Sequence, residues 1–201
     1  MTAQDWDARY GAGHTWGDAP NVWVAQHAAD LRPGVALDLA AGDGRHARWL
    51  ADRGWRVLAT DFSLTAARRG RGRTADVPGV AWVVSDALRP VVAPGSVDLV
   101  VVAYLQLQAA DLRVALRGAA AAVRPGGTLL VVSHDVTNLT AGVGGPQDAA
   151  VLTTPDAVAA AAGAEGLVAR LAVVAERPVD GATRPARDTV VVAGRPSSHS
   201  G

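Results

Sequence analysis

The chain of 201 residues contains no cysteine, which excludes a disulfide, a thiolate nucleophile and any cysteine-based metal site. It contains no lysine either. All nineteen of its basic residues are arginine, so Schiff-base chemistry and a Tyr-x-x-x-Lys pair have no side chain to use. Acidic residues also number nineteen, and a balanced charge argues against a nucleic-acid surface. No apolar run reaches the roughly 18 residues of a membrane span, and the opening MTAQDWDARY places Asp5 and Asp7 where a signal core would be apolar, which points to the cytoplasm. His14, His27, His46 and His199 show no metal-ligand spacing, so no metal is expected, and no G-x-S-x-G elbow supplies a hydrolase nucleophile.

What the chain has in quantity is hydrophobic residues, 49% of the total, enough to bury one sizeable core. Short runs of Val, Leu and Ala recur at residues 35–40, 56–60, 80–84, 97–103, 128–133, 167–175 and 189–193. Most lack alternation, the mark of strands buried on both faces, so helices must cover both sides of a sheet. Residues 109–123 supply one, with Leu112, Leu116, Ala119, Ala120 and Val123 at helical spacing and a stop at Arg124-Pro125-Gly126-Gly127. Thr154-Pro155-Asp156 starts another, ending near Gly163. The pattern predicts an α/β, doubly wound, Rossmann-like, mostly parallel seven-stranded sheet, with the last two strands forming an antiparallel hairpin. Residues 1–196 read as one domain, with 1–30 an N-terminal lid segment and 197–201 a loose tail. The run from Arg68 to Arg73 reads as a solvated helix end.

In such a sheet ligands bind beyond the carboxyl ends of the strands, at the switch point beside the first strand. The stretch ALDLAAGDGRHARWLA (36–51) lies there. Gly42 and Gly44 allow close backbone approach, but Ala47 stands where a dinucleotide fingerprint has its third glycine, so the turn alone fits either a ligand loop or a tight strand-to-helix connection. Asp61 follows the second strand about 20 residues on, where an acid can take ribose hydroxyls, although it could also serve as a turn residue or cap. Asp86 follows the third strand, placed to accept from an exocyclic amine.

The successive stretches ALDLAAGDGRHARWLA, VLATDFS, VVSDAL, VDLVVVAYLQL and VRPGGTLLVVSHD resemble, in order and spacing, the motifs of class I S-adenosylmethionine-dependent methyltransferases, over about residues 6–135. WDARYGAGHTWGDAPN (6–21) resembles the lid of the branch that includes tellurite-resistance and thiopurine methyltransferases. The resemblance implies S-adenosyl-L-methionine as cofactor. It sets the methionine portion against Ala40, Gly42 and Gly44 with Asp38 in support, the ribose on Asp61, and the adenine beside Phe62, Asp86 and Ala87. Ala103 and Tyr104 would line the reaction centre, and Trp16 would offer its face to a cationic sulfonium. Ala40 departs from the glycine usual in the family, and His46 from a smaller polar residue.

The expected activity is in-line methyl transfer to a small molecule: a thiol, a chalcogen oxyanion or a heteroaromatic N or O group. Tyr104, Gln106 and His134 are the candidate catalytic residues. His134 could accept a proton, orient the acceptor or bond a backbone carbonyl; Gln106 could bond the acceptor or be structural. Two other functions compete, an NAD(P)-binding oxidoreductase and a non-catalytic protein that binds S-adenosylmethionine. The residues leave the oligomeric state open.

Overall fold

The computed structural model describes residues 2–13, 16–89 and 91–197; the expected tail beyond Ser197 lies outside them. The unalternating apolar runs become β1 (Val35–Leu39), β2 (Arg56–Asp61), β3 (Val80–Val84), β4 (Val97–Ala103) and β5 (Val123–His134), followed by β6 (Val168–Arg177) and β7 (Ala186–Gly194). They make one sheet in the order β3-β2-β1-β4-β5-β7-β6. The first five strands run parallel, and β7 is antiparallel to both β5 and β6. The hairpin therefore folds back on itself, with its second strand inside and β6 at the edge.

Successive residues of the central strands feed opposite cores. Leu37, Leu39, Val100, Val102, Leu129 and Val131 pack on one face with α5 (Ala109–Ala122) and α7 (Pro155–Gly163). Ala36, Leu99, Val101, Leu130 and Val132 pack on the other with α2 (Val22–Ala28) and α3 (Arg45–Ala51). Each buried Leu or Val contributes about 1.5–3 kcal/mol, so a strand with both faces covered tolerates no polar residue without a partner. Helix α5 ends as its sequence predicts, but β5 begins at Val123 rather than 128, because Arg124 to Gly127 bulge opposite Asp98 before pairing resumes at Thr128.

The N-terminal segment is tied to the sheet through polar side chains. Helix α1 (Ala3–Gly11) is closed by a Thr2/Asp5 capping box and rests on α4 (Leu64–Arg73). Asp7 Oδ1 accepts from Ser63 Oγ at 2.6 Å and from the Thr65 amide at 2.8 Å. The arginine run is not a solvated helix end throughout. Arg69 donates to the Tyr10 carbonyl, and Arg73 bridges Asp43 (2.5 Å) and Asp18 (2.6 Å). Their guanidinium forks suit this work because each can hold two acceptors in one plane.

Among the described residues, two that are not glycine have positive φ, Ala40 (58°) and Tyr104 (57°). They follow β1 and β4, which are adjacent strands, so both chains leave the sheet in the left-handed conformation at the switch point. Replacing Ala40 with glycine is expected to leave stability unchanged or raise it by up to about 1 kcal/mol. It removes a left-handed cost of roughly 1–2 kcal/mol but frees the unfolded chain by about 0.5–1 kcal/mol. Ala40→Val, with a branched Cβ in that conformation, should cost at least about 2 kcal/mol. Urea midpoints of the three proteins check both statements.

Candidate active site

A cleft of about 990 Å³ opens over the carboxyl ends of β1, β2, β4 and β5, roofed by residues of the N-terminal segment. Of the residues expected in the site, Trp16, Ala40, Gly42, Asp61, Phe62, Ala103, Tyr104, Gln106 and His134 line it. Asp38, Gly44, Asp86 and Ala87 are not among the lining residues.

The turn after β1 is shaped by Gly42 (φ 59°) and Gly44 (φ 85°). A Cβ at Gly42 would lie 2.6 Å from the Tyr10 hydroxyl, and one at Gly44 would lie 2.6 Å from the Trp82 ring. Gly42 thus faces the cleft and Gly44 packs behind it. Tyr10 Oη also accepts from Trp16 Nε1 at 3.1 Å, and burial pushes its pKa up to about 12. At the next strand end, Asp61 Oδ2 accepts from the Gly42 amide (2.8 Å) and Oδ1 from the Ser63 amide (2.9 Å). Burial raises its pKa, while these amides oppose the rise. Each oxygen keeps a lone pair for a ligand. Asp86 is exposed and accepts from the Leu88 amide, and Ala87 packs into the core.

Beneath the turn, Asp38 is buried, and neither carboxylate oxygen makes a side-chain or backbone hydrogen bond of good geometry. Burial pushes its pKa to about 7, against the pull of the Ala47 amide and the Arg45 guanidinium. His46 is also buried, and its Nε2 accepts from the Asn21 amide at 3.2 Å. Burial, reinforced by Arg45, lowers its pKa to about 3, so it is neutral, with Nδ1 carrying the proton.

The opposite end of the cleft centres on a residue that sequence reasoning missed. Asp188 is 0% exposed. Its Oδ2 accepts from Tyr104 Oη (2.9 Å), Trp23 Nε1 (3.1 Å) and Arg177 Nε (2.8 Å). Tyr104 Oη in turn accepts from Asn21 Nδ2 at 2.8 Å, and burial beside Asp188 raises its pKa further. The His134 ring stacks at 4.7 Å on Tyr104, with its Nδ1 at 3.6 Å from Asp188 Oδ1. Burial lowers the His134 pKa; Asp188 opposes this and Arg177 adds to it. On the other side, Gly145 leaves room that a Cβ would take from the His134 ring. One signal could have found Asp188. A strand antiparallel to its neighbours begins where they end, so the first residues of β7 share the rim with the last residues of β5, and His134 pairs with Asp188 in register. Among the described residues, no group of three or more His, Asp or Glu could hold a metal ion, and no helix is long and apolar enough to cross a membrane.

Residues 36–127 match the family model described as "Methyltransferase domain". A demethylmenaquinone methyltransferase of Corynebacterium urealyticum is 39% identical over 103 residues, 51% of this chain and 43% of that protein; the match thus spans less than half of the relative's length. Over the whole chain the fold is shared with the N-methyltransferase NodS of Bradyrhizobium japonicum, solved with S-adenosyl-L-homocysteine (TM-score 0.76, 17% identity, covering 97% of this chain and 98% of that one). It is also shared with the 1,6-didemethyltoxoflavin-N1-methyltransferase of Burkholderia thailandensis, solved with its named substrate and S-adenosylhomocysteine (TM-score 0.73, 19% identity, covering 97% and 87%).

The pKa of His46 has a consequence for stability. A histidine whose folded pKa lies below its unfolded value binds more protons when unfolded, so its contribution is intact above about pH 6.5 and is lost as pH falls toward 3. At pH 4.5 this loss is on the order of 2–3 kcal/mol. Asp38 acts in the opposite sense, stabilising on acidification through pH 7. His46→Gln, which keeps an acceptor for the Asn21 amide, is therefore expected to be more stable relative to wild type at pH 4.5 than at pH 7.5. Denaturant midpoints at the two pH values measure the difference.

Proposed function

We propose that this chain, whose residues 36–127 match a methyltransferase domain model, transfers a methyl group from S-adenosyl-L-methionine to a small molecule. One observation carries the reading: a single cleft joins the left-handed turn Ala40–Gly44, the Asp61 carboxylate and an aromatic roof at one end to Gln106, Tyr104 and His134 at the other. When bound, the donor supplies an electrophilic methyl on a positively charged sulfur.

The chain's own residues fit that group. Asp61 has a lone pair on each oxygen for a pair of ribose hydroxyls and Phe62 offers a flat face to the base, whereas Asp86 is exposed and Ala87 packs into the core, outside the cleft lining. Gly42 provides backbone that no side chain covers, and Arg45, on the cleft wall, suits a carboxylate. Asp61 lines the cleft with a carboxylate held by two amides, and this sign of charge favours a cationic ligand over a pyrophosphate. The same argument ranks the NAD(P) reading second. On the acceptor side, the rim confines a small molecule between the strand ends and the loop 142–147. Holding it in line behind the methyl supplies much of the acceleration by itself. The curated relative named for demethylmenaquinone and the solved one named for 1,6-didemethyltoxoflavin support a ring-borne acceptor. The kinship with the tellurite-resistance and thiopurine branch rests on residues 6–21 alone.

Calorimetric titration with S-adenosylhomocysteine should show binding, and Asp61→Ala should weaken it at least tenfold, as expected when charge-assisted hydrogen bonds of about 1.5–3 kcal/mol are lost. Binding of NADH without binding of S-adenosylhomocysteine would overturn the assignment. Because Tyr10 and Trp16 roof the same cleft, ligand should also slow proteolysis within residues 6–21; equal rates with and without it would refute the roof as part of the site.

A further inference from the structure

We infer that His134 and Asp188 form a proton-accepting pair, so that the acceptor enters as a neutral O–H or N–H acid of phenolic or heteroaromatic type rather than as a preformed thiolate or chalcogen anion. This rests on the methyltransferase reading of the cleft. The geometry supports it from three sides. Asp188 is completely buried, yet all three of its hydrogen-bond donors converge on Oδ2. Oδ1 makes no hydrogen bond, and His134 Nδ1, itself buried and without one, lies 3.6 Å from it. Two unsatisfied buried polar atoms that face each other at 3.6 Å are explained if the Nδ1 proton lies between them and the contact tightens once acceptor fills the cleft.

The ring has little freedom to do otherwise. Tyr104 stacks on one face and Gly145 closes on the other, where a Cβ would come within 2.9 Å of the imidazole. With Nδ1 directed at Asp188, Nε2 is left as the lone-pair nitrogen on a residue that lines the cleft. Arg177 donates to Asp188 Oδ2 at 2.8 Å, and its guanidinium lies 5.9 Å from the Tyr104 ring centroid. The titratable groups that face His134 are thus Asp188 on β7, Arg177 on β6 and the phenol of Tyr104 past the end of β4, while the loop 142–147 brings Gly145 against the ring. An anionic acceptor would need no base, whereas a neutral acid needs one and finds it in His134 Nε2. Its O–H or N–H bond breaks and the proton rests on Nε2. The heteroatom's electron pair forms the bond to the methyl carbon, whose bond to sulfur breaks with its pair onto sulfur, and the imidazolium is balanced by Asp188. His134 is the catalytic residue in this step, and Asp188 is a positioning residue.

Nitrogen-15 imidazole NMR of the full-length protein tests the pair without any turnover. The expected result at pH 7.5 is a neutral His134 with the proton on Nδ1; a proton on Nε2 would overturn the proposal. Asp188→Asn should abolish that tautomer preference, and Asp188→Glu should restore it; if the Asn variant does not fold, the wild-type tautomer still decides. Turnover with radiolabelled donor adds a second reading. With hydroquinones and hydroxypyridines as probes, His134→Gln should lower kcat at least a hundredfold, while Asp188→Asn should lower it at least tenfold and move the acid limb of the pH profile to lower pH. With thiophenols, largely ionised at the assay pH, both variants should lose far less kcat than with the phenols; equal losses on thiols and phenols would overturn the acceptor class. Failure of S-adenosylhomocysteine to bind would instead defeat the methyltransferase reading, and the tautomer would still report on the pair.

Discussion

The carboxyl edge of the sheet carries five buried carboxylates, Asp38, Asp43, Asp61, Asp135 and Asp188, and every element near the cleft is arranged to satisfy them. An isolated carboxylate in this position costs several kcal/mol, so donors must be brought to it. Asp61 takes the amides of Gly42 and Ser63, which fixes the glycine turn to the start of α4. Asp135 takes the Thr137 amide and hydroxyl and the Thr189 hydroxyl, which ties the loop after β5 to β7. Asp43 takes Arg73, which also holds Asp18 of the N-terminal segment. Asp188 joins α2, β4 and β6 through Trp23, Tyr104 and Arg177. The cleft is the space these bonds leave between them. Asp38 is the exception: burial favours its protonated form, and it underlies the turn without a good donor.

This constraint also explains the chain's use of arginine. A lysine ammonium is a point charge, whereas a guanidinium can bridge acceptors in two segments at once. Arg73 joins Asp43, Asp18 and the Gly17 carbonyl; Arg45 reaches the Trp16 carbonyl from the first turn of α3. Through these contacts, and through Arg69 on the Tyr10 carbonyl, a segment that belongs to no strand becomes the roof of the site.

The fold was legible because strands covered on both faces leave unbroken apolar runs, and caps such as Ser63 and Thr154 mark helix starts by type. Boundaries slipped where pairing, rather than composition, sets them, as at the Arg-Pro-Gly-Gly bulge ahead of Thr128. In the site, Gly42, Asp61 and Tyr104 could be placed because Asp61 ends a strand and the other two lie one to three residues past the end of one. Asp188 and Arg177 could not, since their positions depend on β7 running backward between β5 and β6. Nor could the roles of Arg69 and Arg73, because a basic run on a helix carries no sign of which distant carbonyls and carboxylates it will meet.

The two ends of the cleft solve the same electrostatic problem in different ways. Around the turn, Asp61 is bonded to backbone amides and Asp43 to Arg73, so a ligand there meets the Asp61 carboxylate among fixed dipoles, suited to a cation that arrives already charged. At the far end the acid is masked: Arg177 neutralises Asp188, and two histidines nearby, His46 and His134, are kept uncharged by burial. A site that is cationic or anionic at both ends would bind one partner of a methyl transfer and repel the other. Here charge is concentrated where the donor's sulfonium would sit and cancelled where a neutral acceptor would. The field across the cleft therefore opposes the donor's charge least at the start of the reaction and compensates a proton on His134, beside Asp188, at its end, which is the order in which positive charge must move from one side of the cleft to the other.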